Sequence, residues 1–119
     1  MRKILIAEDE IPMAKALQLK LNNSGFDAEA VYDGEKAIEA LQSSTYDVLL
    51  LDLVMPKKDG FAVLEEIRKN NISVKVIVST NLSQAEDEKK AKELGAIDYF
   101  VKSNTSINDV IEHVKKALS

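Results

Sequence analysis

The stretch of sequence that decides the fold reads Asp47-Val48-Leu49-Leu50-Leu51-Asp52-Leu53-Val54-Met55-Pro56. Its four consecutive apolar residues, 48–51, are typical of a strand that is buried on both faces, as the inner strands of a parallel sheet are. Asp52 follows directly at the carboxyl end of this strand, where open α/β sheets bind their ligands. The stretch therefore predicts a buried parallel strand that ends at a functional carboxylate.

Outward from this stretch, four further apolar runs predict strands at residues 4–7, 28–31, 74–78 and 97–101. The segments between and after these runs carry apolar residues at helical spacing. Helix boundaries are indicated by Pro12 in a first turn, by Gly25 and Gly95 at two helix ends, and by capping boxes that begin at Ser83 and Ser106. Five strands alternating with five helices predict an α/β fold with a doubly wound, five-stranded parallel sheet and right-handed crossovers.

The fourth predicted helix, about residues 84–94, differs from the others in composition. Its apolar anchors are Ala85, Ala91 and Leu94, and charged side chains occupy most of its remaining positions. Because a helix of this kind buries little apolar surface, its local stability is low. We therefore expect this helix to be the element that moves.

The composition describes one domain and excludes several classes of protein. A length of 119 residues suffices for one core and no linker divides the chain, so we expect a single domain over residues 1–119. The absence of cysteine excludes thiolate metal sites, and a single histidine, His113, excludes zinc hydrolases and Ser-His-Asp triads within the chain. The formal charge of −4 argues against direct nucleic-acid binding, and no apolar run approaches the ~20 residues of a membrane helix. We expect an intracellular protein, with His113 at the solvent edge of the last helix.

Polar residues that suit phosphoryl chemistry follow four of the predicted strands, as Glu8-Asp9-Glu10, Asp52, Ser79-Thr80-Asn81 and Lys102-Ser103. A parallel sheet brings these strand ends to one edge. Two or three carboxylates held close together repel each other, and a divalent cation that prefers oxygen ligands and water, such as Mg²⁺, removes the conflict. Lys102 adds an ammonium group and Thr80 adds a hydroxyl donor. These groups together predict a phosphoryl-binding site in which Asp52 is the nucleophile.

Each of these residues taken alone has a simpler explanation. A carboxylate after a strand, such as Glu8 or Asp9, is most often a helix cap or a solvated loop charge. Thr80 alone suits a turn hydroxyl, and Lys102 alone suits a surface ammonium group. The joint placement of all of them at one sheet edge favours the functional interpretation.

Four stretches carry a resemblance to a known family: residues 4–10, residues 47–56 with Asp59-Gly60, residues 76–80, and residues 95–102. Along essentially its whole length the chain resembles the receiver domain of two-component response regulators. The resemblance implies a flavodoxin-like sheet with strand order 2-1-3-4-5. It also implies a phosphoaspartate switch that catalyses only its own phosphorylation and dephosphorylation and is otherwise not an enzyme.

The resemblance implies a role for each site residue. Asp52 would be the phosphoacceptor, and Mg²⁺ would be held by Asp9, by Asp52, by the carbonyl of Val54 and, through water, by Glu8. On the switching side, three further residues would respond to the phosphoryl group: Thr80 as its hydrogen-bond donor, Lys102 as its charge partner, and Tyr99 as the aromatic ring whose orientation follows Thr80.

The resemblance also implies partners. A histidine kinase or phosphotransfer protein would supply the phosphoryl group, and a downstream protein target would recognise the face formed by helix 4, strand 5 and helix 5. We expect a cytoplasmic protein with no membrane contact and no direct binding of nucleic acid. Because no effector domain follows Ser119, output is expected through protein contact; phosphorylation-dependent dimerisation stays open.

Three positions depart from the family pattern. Glu8 replaces the more common Asp. Asn81 replaces a small residue and could screen the phosphoryl group. Ser103 replaces a Pro, so the peptide bond before it is expected to be trans or strained.

Three alternative functions compete with that of a phosphorylated receiver domain. Val54 argues against an aspartate-nucleophile phosphatase, which needs a carboxylate at that position. The acidic residues 8–10 argue against a flavin mononucleotide carrier. Asn81 and Ser103 leave open a degenerate receiver that acts as a phosphorylation-independent docking module.

Overall fold

A computed structural model describes all of residues 1–119 as alternating strands and helices. In chain order the elements are β1 (Lys3–Ala7), α1 (Ile11–Asn23), β2 (Asp27–Val31), α2 (Gly34–Ser43), β3 (Val48–Leu51), α3 (Gly60–Lys69), β4 (Lys75–Thr80), α4 (Ala85–Glu93), β5 (Asp98–Val101), a 3₁₀ turn (Lys102–Asn104) and α5 (Ile107–Leu118). The five strands form one parallel sheet in the order β2-β1-β3-β4-β5. The predicted doubly wound α/β fold and its strand order are confirmed.

The centre of the sheet is buried on both faces because β3 is apolar at every position and β1 is apolar from Ile4 to Ala7. All four residues of β3 are buried, and alternate side chains point to opposite faces. Leu49 and Leu51 pack with α2, α3 and α4, whereas Val48 and Leu50 pack with α1 and α5. Two apolar layers therefore fix β1 and β3 from both sides. None of the five helices combines the length and apolar composition needed to cross a membrane.

The predicted helix boundaries are confirmed except at the start of α4. Pro12 lies in the first turn of α1, and the side chain of Ser106 caps α5 by accepting from the Asp109 N–H. Gly25 and Gly95 follow α1 and α4 with φ of 93° and 114°, a region that suits glycine. The capping box at Ser83 is wrong, since α4 begins at Ala85 with Gln84 as its N-cap and no side-chain cap.

Two residues lie in surroundings that the sequence did not predict. Thr80 was expected after strand 4, but β4 continues through it because β5 offers a partner as far as Val101. His113 was expected at the solvent edge, but it is half-buried: its Nδ1 lies 2.6 Å from Asp98 Oδ2 and its ring stacks on Phe100. The neighbouring carboxylate and ring draw the imidazole onto β5 and away from solvent.

Candidate functional site

The carboxylates of Glu8 and Asp52 lie side by side because they follow the neighbouring strands β1 and β3. Ala7 and Leu51 end the paired register, and the next residues are Glu8 and Asp52. Both are buried, with 2% and 4% of their surfaces exposed, while Asp9 is exposed. One carboxylate oxygen from each of the three lies within 4.8 Å of the others. The structure thus brings together the three acidic residues that the sequence placed at a metal site.

Lys102 reaches across the sheet edge to both buried carboxylates. Its Nζ lies 2.7 Å from Glu8 Oε1 and 3.1 Å from Asp52 Oδ2, and its side chain is only 6% exposed. Burying charged groups is costly unless they are paired and hydrogen-bonded, and this arrangement meets both conditions. Two carboxylates facing one ammonium group leave a net negative site that suits a cation.

Burial and ion pairing shift the pKa values of Glu8 and Lys102. Burial raises the pKa of Glu8, and the hydrogen bond from Lys102 opposes that shift only in part. Burial alone would lower the pKa of Lys102, but the hydrogen bonds and charges of Glu8 and Asp52 outweigh it and raise the pKa well above its usual value. Lys102 therefore stays a cation.

Asp52 faces an open cavity of about 300 Å³. Its Oδ1 accepts a hydrogen bond from the Val54 N–H at 3.2 Å, which orients the carboxylate. The cavity is lined by residues from four strand ends: Asp9, Glu10, Asp52, Val54, Thr80, Asn81, Leu82 and Lys102. A small anionic group would fit beside Asp52 in this cavity, within reach of Lys102.

Thr80 and Tyr99 meet through Leu82 rather than directly. Thr80 is fully buried, and its Oγ1 accepts from the Leu82 N–H at 3.4 Å. The Tyr99 hydroxyl donates to the Leu82 carbonyl oxygen at 2.6 Å. Burial raises the pKa of Tyr99, with the charges of Asp87 and Glu88 on α4 adding to the shift, so the phenol stays protonated. The start of the β4–α4 connection is thus bonded to both predicted switch residues.

The structure adds two features that sequence reasoning did not assign to the site. Glu10 lines the cavity, with Oε1 3.5 Å from Lys102 Nζ, and its signal was its place in the acidic triplet after strand 1. Asn81 accepts a hydrogen bond from the Ser103 N–H at 3.1 Å. No peptide bond is cis, so the bond before Ser103 has the trans form that the sequence analysis allowed.

The chain matches the family model described as "Response regulator receiver domain" over residues 4–115. The chain belongs to this family. Receiver domains interact with histidine kinases, and the phosphoaspartate switch that characterises them agrees with the site geometry. The docking-module alternative is not favoured.

Relatives of this receiver domain include longer regulators. Response regulator ArlR of Staphylococcus saprophyticus is 38% identical over 102 residues, covering 86% of this chain and 46% of that protein. Transcriptional regulatory protein CiaR of Streptococcus pneumoniae is 37% identical over 102 residues, covering 86% and 45%. The chain spans about half the length of the curated relatives it matches.

Solved receiver structures share the fold. The receiver domain of the Francisella response regulator 1452 superposes with a TM-score of 0.92 at 31% identity, covering 98% of this chain and 96% of that one. Response regulator protein TrrA from Thermotoga maritima, in complex with Mg²⁺ and BeF, gives a TM-score of 0.86 at 32% identity, covering 98% and 99%. A similar fold therefore accommodates Mg²⁺ and BeF in that protein.

Proposed function

We propose that this receiver domain accepts a phosphoryl group on Asp52 in a Mg²⁺-dependent reaction and so switches the surface formed by α4, β5 and α5. The observation that carries this proposal is the triangle of Glu8, Asp52 and Lys102, buried at the end of the sheet and open to a cavity. Buried charges are retained at a cost in free energy, which favours a functional role over a structural one.

The transfer needs a donor whose bond to phosphorus can be broken. A phosphohistidine on a kinase or phosphotransfer protein meets this need: an Asp52 carboxylate oxygen bonds to phosphorus as the P–N bond breaks. The electron pair of that bond returns to the imidazole nitrogen. Asp52 is suited to attack because hydrogen bonds from the Val54 N–H and from Lys102 Nζ hold its two carboxylate oxygens in place.

The donor set fits Mg²⁺. Three carboxylate oxygens within 4.8 Å of each other, one from exposed Asp9, form the hard-oxygen set that this ion prefers with water. Asp9 and Asp52 would bind the ion, with the Val54 carbonyl as a further ligand and Glu8 contributing through water. When bound, the ion supplies positive charge that offsets the charge of the incoming phosphoryl group.

After transfer, this chain's own residues hold the product and pass on the signal. Lys102 lies close enough to Asp52 to pair with a phosphoryl group attached there. The Thr80 hydroxyl lines the same cavity and would turn toward the new oxygens, giving up its contact with the Leu82 N–H. Tyr99 is bonded to Leu82, so its orientation would follow. A charge-assisted hydrogen bond of about 1.5–3 kcal/mol is enough to shift a balanced loop.

Membership of the family supports the remaining parts of the proposal. Residues 1–119 form one receiver domain, which acts in the cytoplasm with a histidine kinase or phosphotransfer protein as donor. Its output is a contact between the α4–β5–α5 surface and a downstream protein, without direct contact to nucleic acid or membrane. It catalyses its own phosphorylation and dephosphorylation and no other reaction.

A titration with beryllofluoride and Mg²⁺ tests the proposal, with amide resonances of residues 52–54 and 80–82 as the signal. We expect saturable binding of both together, and uptake of phosphoryl groups from a small acyl phosphate. Asp52→Asn should abolish uptake while the melting curve shows an intact fold. Asp109→Asn, which changes an exposed carboxylate on α5, is the control and should label normally. Labelling of Asp52→Asn at the parent level would refute the assignment.

A further inference from the structure

The two residues that depart from the family pattern at the β4 and β5 ends are bonded to each other. The Ser103 N–H donates to the side-chain oxygen of Asn81 at 3.1 Å. A proline at position 103 would have no N–H to donate, and a small apolar residue at position 81 would have no oxygen to accept. The hydrogen bond therefore requires both departures together.

This bond lies where the backbone pairing of β4 and β5 stops. The last paired residues are Thr80 and Val101, and the next residue on each strand is Asn81 and Lys102. Beyond that point, the hydrogen bond from the Ser103 N–H to the Asn81 side chain joins the two chain segments one residue further along. On the other side of the 3₁₀ turn, the Thr105 N–H donates to the Lys102 carbonyl and the Thr105 hydroxyl donates to the Val101 carbonyl.

The peptide fixed in this way is the one that carries Lys102. Its ammonium group has to cross from the edge strand β5 to carboxylates that follow β1 and β3. A long side chain loses rotamer freedom when it is held in one geometry, so the position of its backbone decides how often it reaches its target. Asn81 and Ser103 are themselves exposed, so a freed Ser103 N–H would be solvated and the fold would lose little stability.

From this geometry we infer that Asn81 is a positioning residue: its side-chain oxygen holds the Lys102–Ser103 peptide so that Lys102 stays seated between Glu8 and Asp52. The inference rests on the proposed function only in that a seated Lys102 is what pairs with the phosphoryl group. According to this inference, Asn81 positions Lys102 and does not screen the phosphoryl group, the role that its size suggests.

Competitive acylation of lysines measures the seating of Lys102 without any phosphoryl chemistry. Buried, ion-paired Lys102 should react far more slowly than the exposed lysines of the same chain, which serve as internal references. Asn81→Ala and Asn81→Leu both remove the oxygen, and Leu keeps the size of Asn. Both should raise the Lys102 labelling rate by about twofold to tenfold, the effect of losing one neutral hydrogen bond. Asn104→Ala, an exposed asparagine of the same turn, is the matched control.

A second measurement asks whether Asn81 acts through Lys102. Phosphoryl uptake from a small acyl phosphate should fall in both Asn81 variants, and this loss should vanish in a Lys102→Ala background. A loss of general stability would persist in that background, so the double-mutant comparison separates positioning from folding.

The possible results distinguish the two ideas. Unchanged Lys102 labelling in both Asn81 variants overturns the inference, whatever the phosphoryl chemistry shows. Faster uptake in Asn81→Ala with parental uptake in Asn81→Leu would mean that Asn81 acts by screening, and that result also overturns it. Raised labelling in a protein that takes up no phosphoryl group would support the positioning of Lys102 while refuting the proposed function.

Discussion

The centre of the sheet and its α4 flank are built in opposite ways. β1 and β3 are packed by apolar layers on both faces, and the carboxylates of Glu8 and Asp52 are held at their ends. By contrast, α4 contributes only Ala91 as a fully buried residue and begins without a side-chain cap. The candidate site therefore lies at the ends of β1 and β3, which are firmly packed. The neighbouring helix α4 is held by few buried contacts.

Few hydrogen bonds connect the candidate site at the sheet edge to the residues before α4. The connection runs from Thr80, the last residue of β4, through the backbone of Leu82 to the hydroxyl of Tyr99 on β5. A local change at the cavity can bias α4 only if such a path has two arrangements and if α4 is weakly anchored. The sparse packing of α4 is therefore consistent with the proposal that phosphorylation changes the surface formed by α4, β5 and α5.

The largest effect should come from truncating a leucine in each region. Leu50→Ala removes a fully buried side chain from β3 and should lower the free energy of unfolding by about 2–5 kcal/mol. Leu94→Ala shortens a half-buried side chain at the end of α4 and should cost about 1 kcal/mol. Urea denaturation measures both. Equal losses would break the comparison, because α4 would then be anchored as firmly as the sheet.

The packing of β1 and β3 and the meeting of the acidic residues that follow them were predictable from the sequence. Apolar runs predicted β1 and β3, since strands buried on both faces leave a continuous signal. The acidic residues after them were predicted to meet because parallel strands bring their carboxyl ends to one edge. The low apolar content of α4 likewise predicted its sparse anchoring.

The remaining details depend on partners distant in sequence. Whether Thr80 ends β4 depends on how far β5 runs beside it, and no local pattern carries that information. The pairing of Lys102 with Glu8 joins residues that are 94 positions apart in the sequence. The burial of His113 depends on Asp98 and Phe100, which lie 15 and 13 positions before it.

A second test removes Asp9, the exposed residue among the proposed Mg²⁺ ligands. Asp9→Ala should reduce repulsion among the carboxylates and leave or raise the melting temperature without metal. It should also remove most of the stabilisation that Mg²⁺ gives the parent, which corresponds to at least a tenfold weaker affinity, or ~1.4 kcal/mol. Thermal melting with and without Mg²⁺ measures both effects. If Mg²⁺ raised the variant's melting temperature as much as the parent's, Asp9 would not be a ligand.

A third test cuts the connection at Tyr99. Tyr99→Phe removes the donor to the Leu82 carbonyl and should cost about 0.5–1.5 kcal/mol, with faster amide exchange at residues 82–84 and unchanged Mg²⁺ affinity. The pKa of Tyr99 is raised in the folded state, so the parent holds this stabilisation below pH 10 and loses it as pH rises further. The stability difference between parent and variant should therefore shrink above about pH 10. Equal stability of parent and variant below pH 10 would show that the hydroxyl bond contributes nothing, and a difference that did not depend on pH would show that folding does not raise the pKa of Tyr99.

The smallest expected effect concerns the lifetime of the phosphoryl group. Val54 and Leu82 line the cavity beside Asp52, and neither side chain can hydrogen-bond a water molecule. The nearby Asn81 oxygen is already bonded to the Ser103 N–H. Since no side chain at these positions orients an attacking water, we expect slow self-dephosphorylation and a persistent signal.

Two substitutions at Val54 separate the orientation of water from its access. Val54→Asn adds hydrogen-bonding groups at similar size and should shorten the phosphoryl half-life by about twofold to tenfold, the range expected for one hydrogen bond. Val54→Ala opens the cavity without adding such groups and should leave the half-life near the parent value. Equal shortening in both variants would mean that Val54 protects the phosphoryl group by bulk alone. A phosphoryl half-life of seconds in the parent would refute the idea that the apolar side chains of Val54 and Leu82 protect the phosphoryl group from hydrolysis.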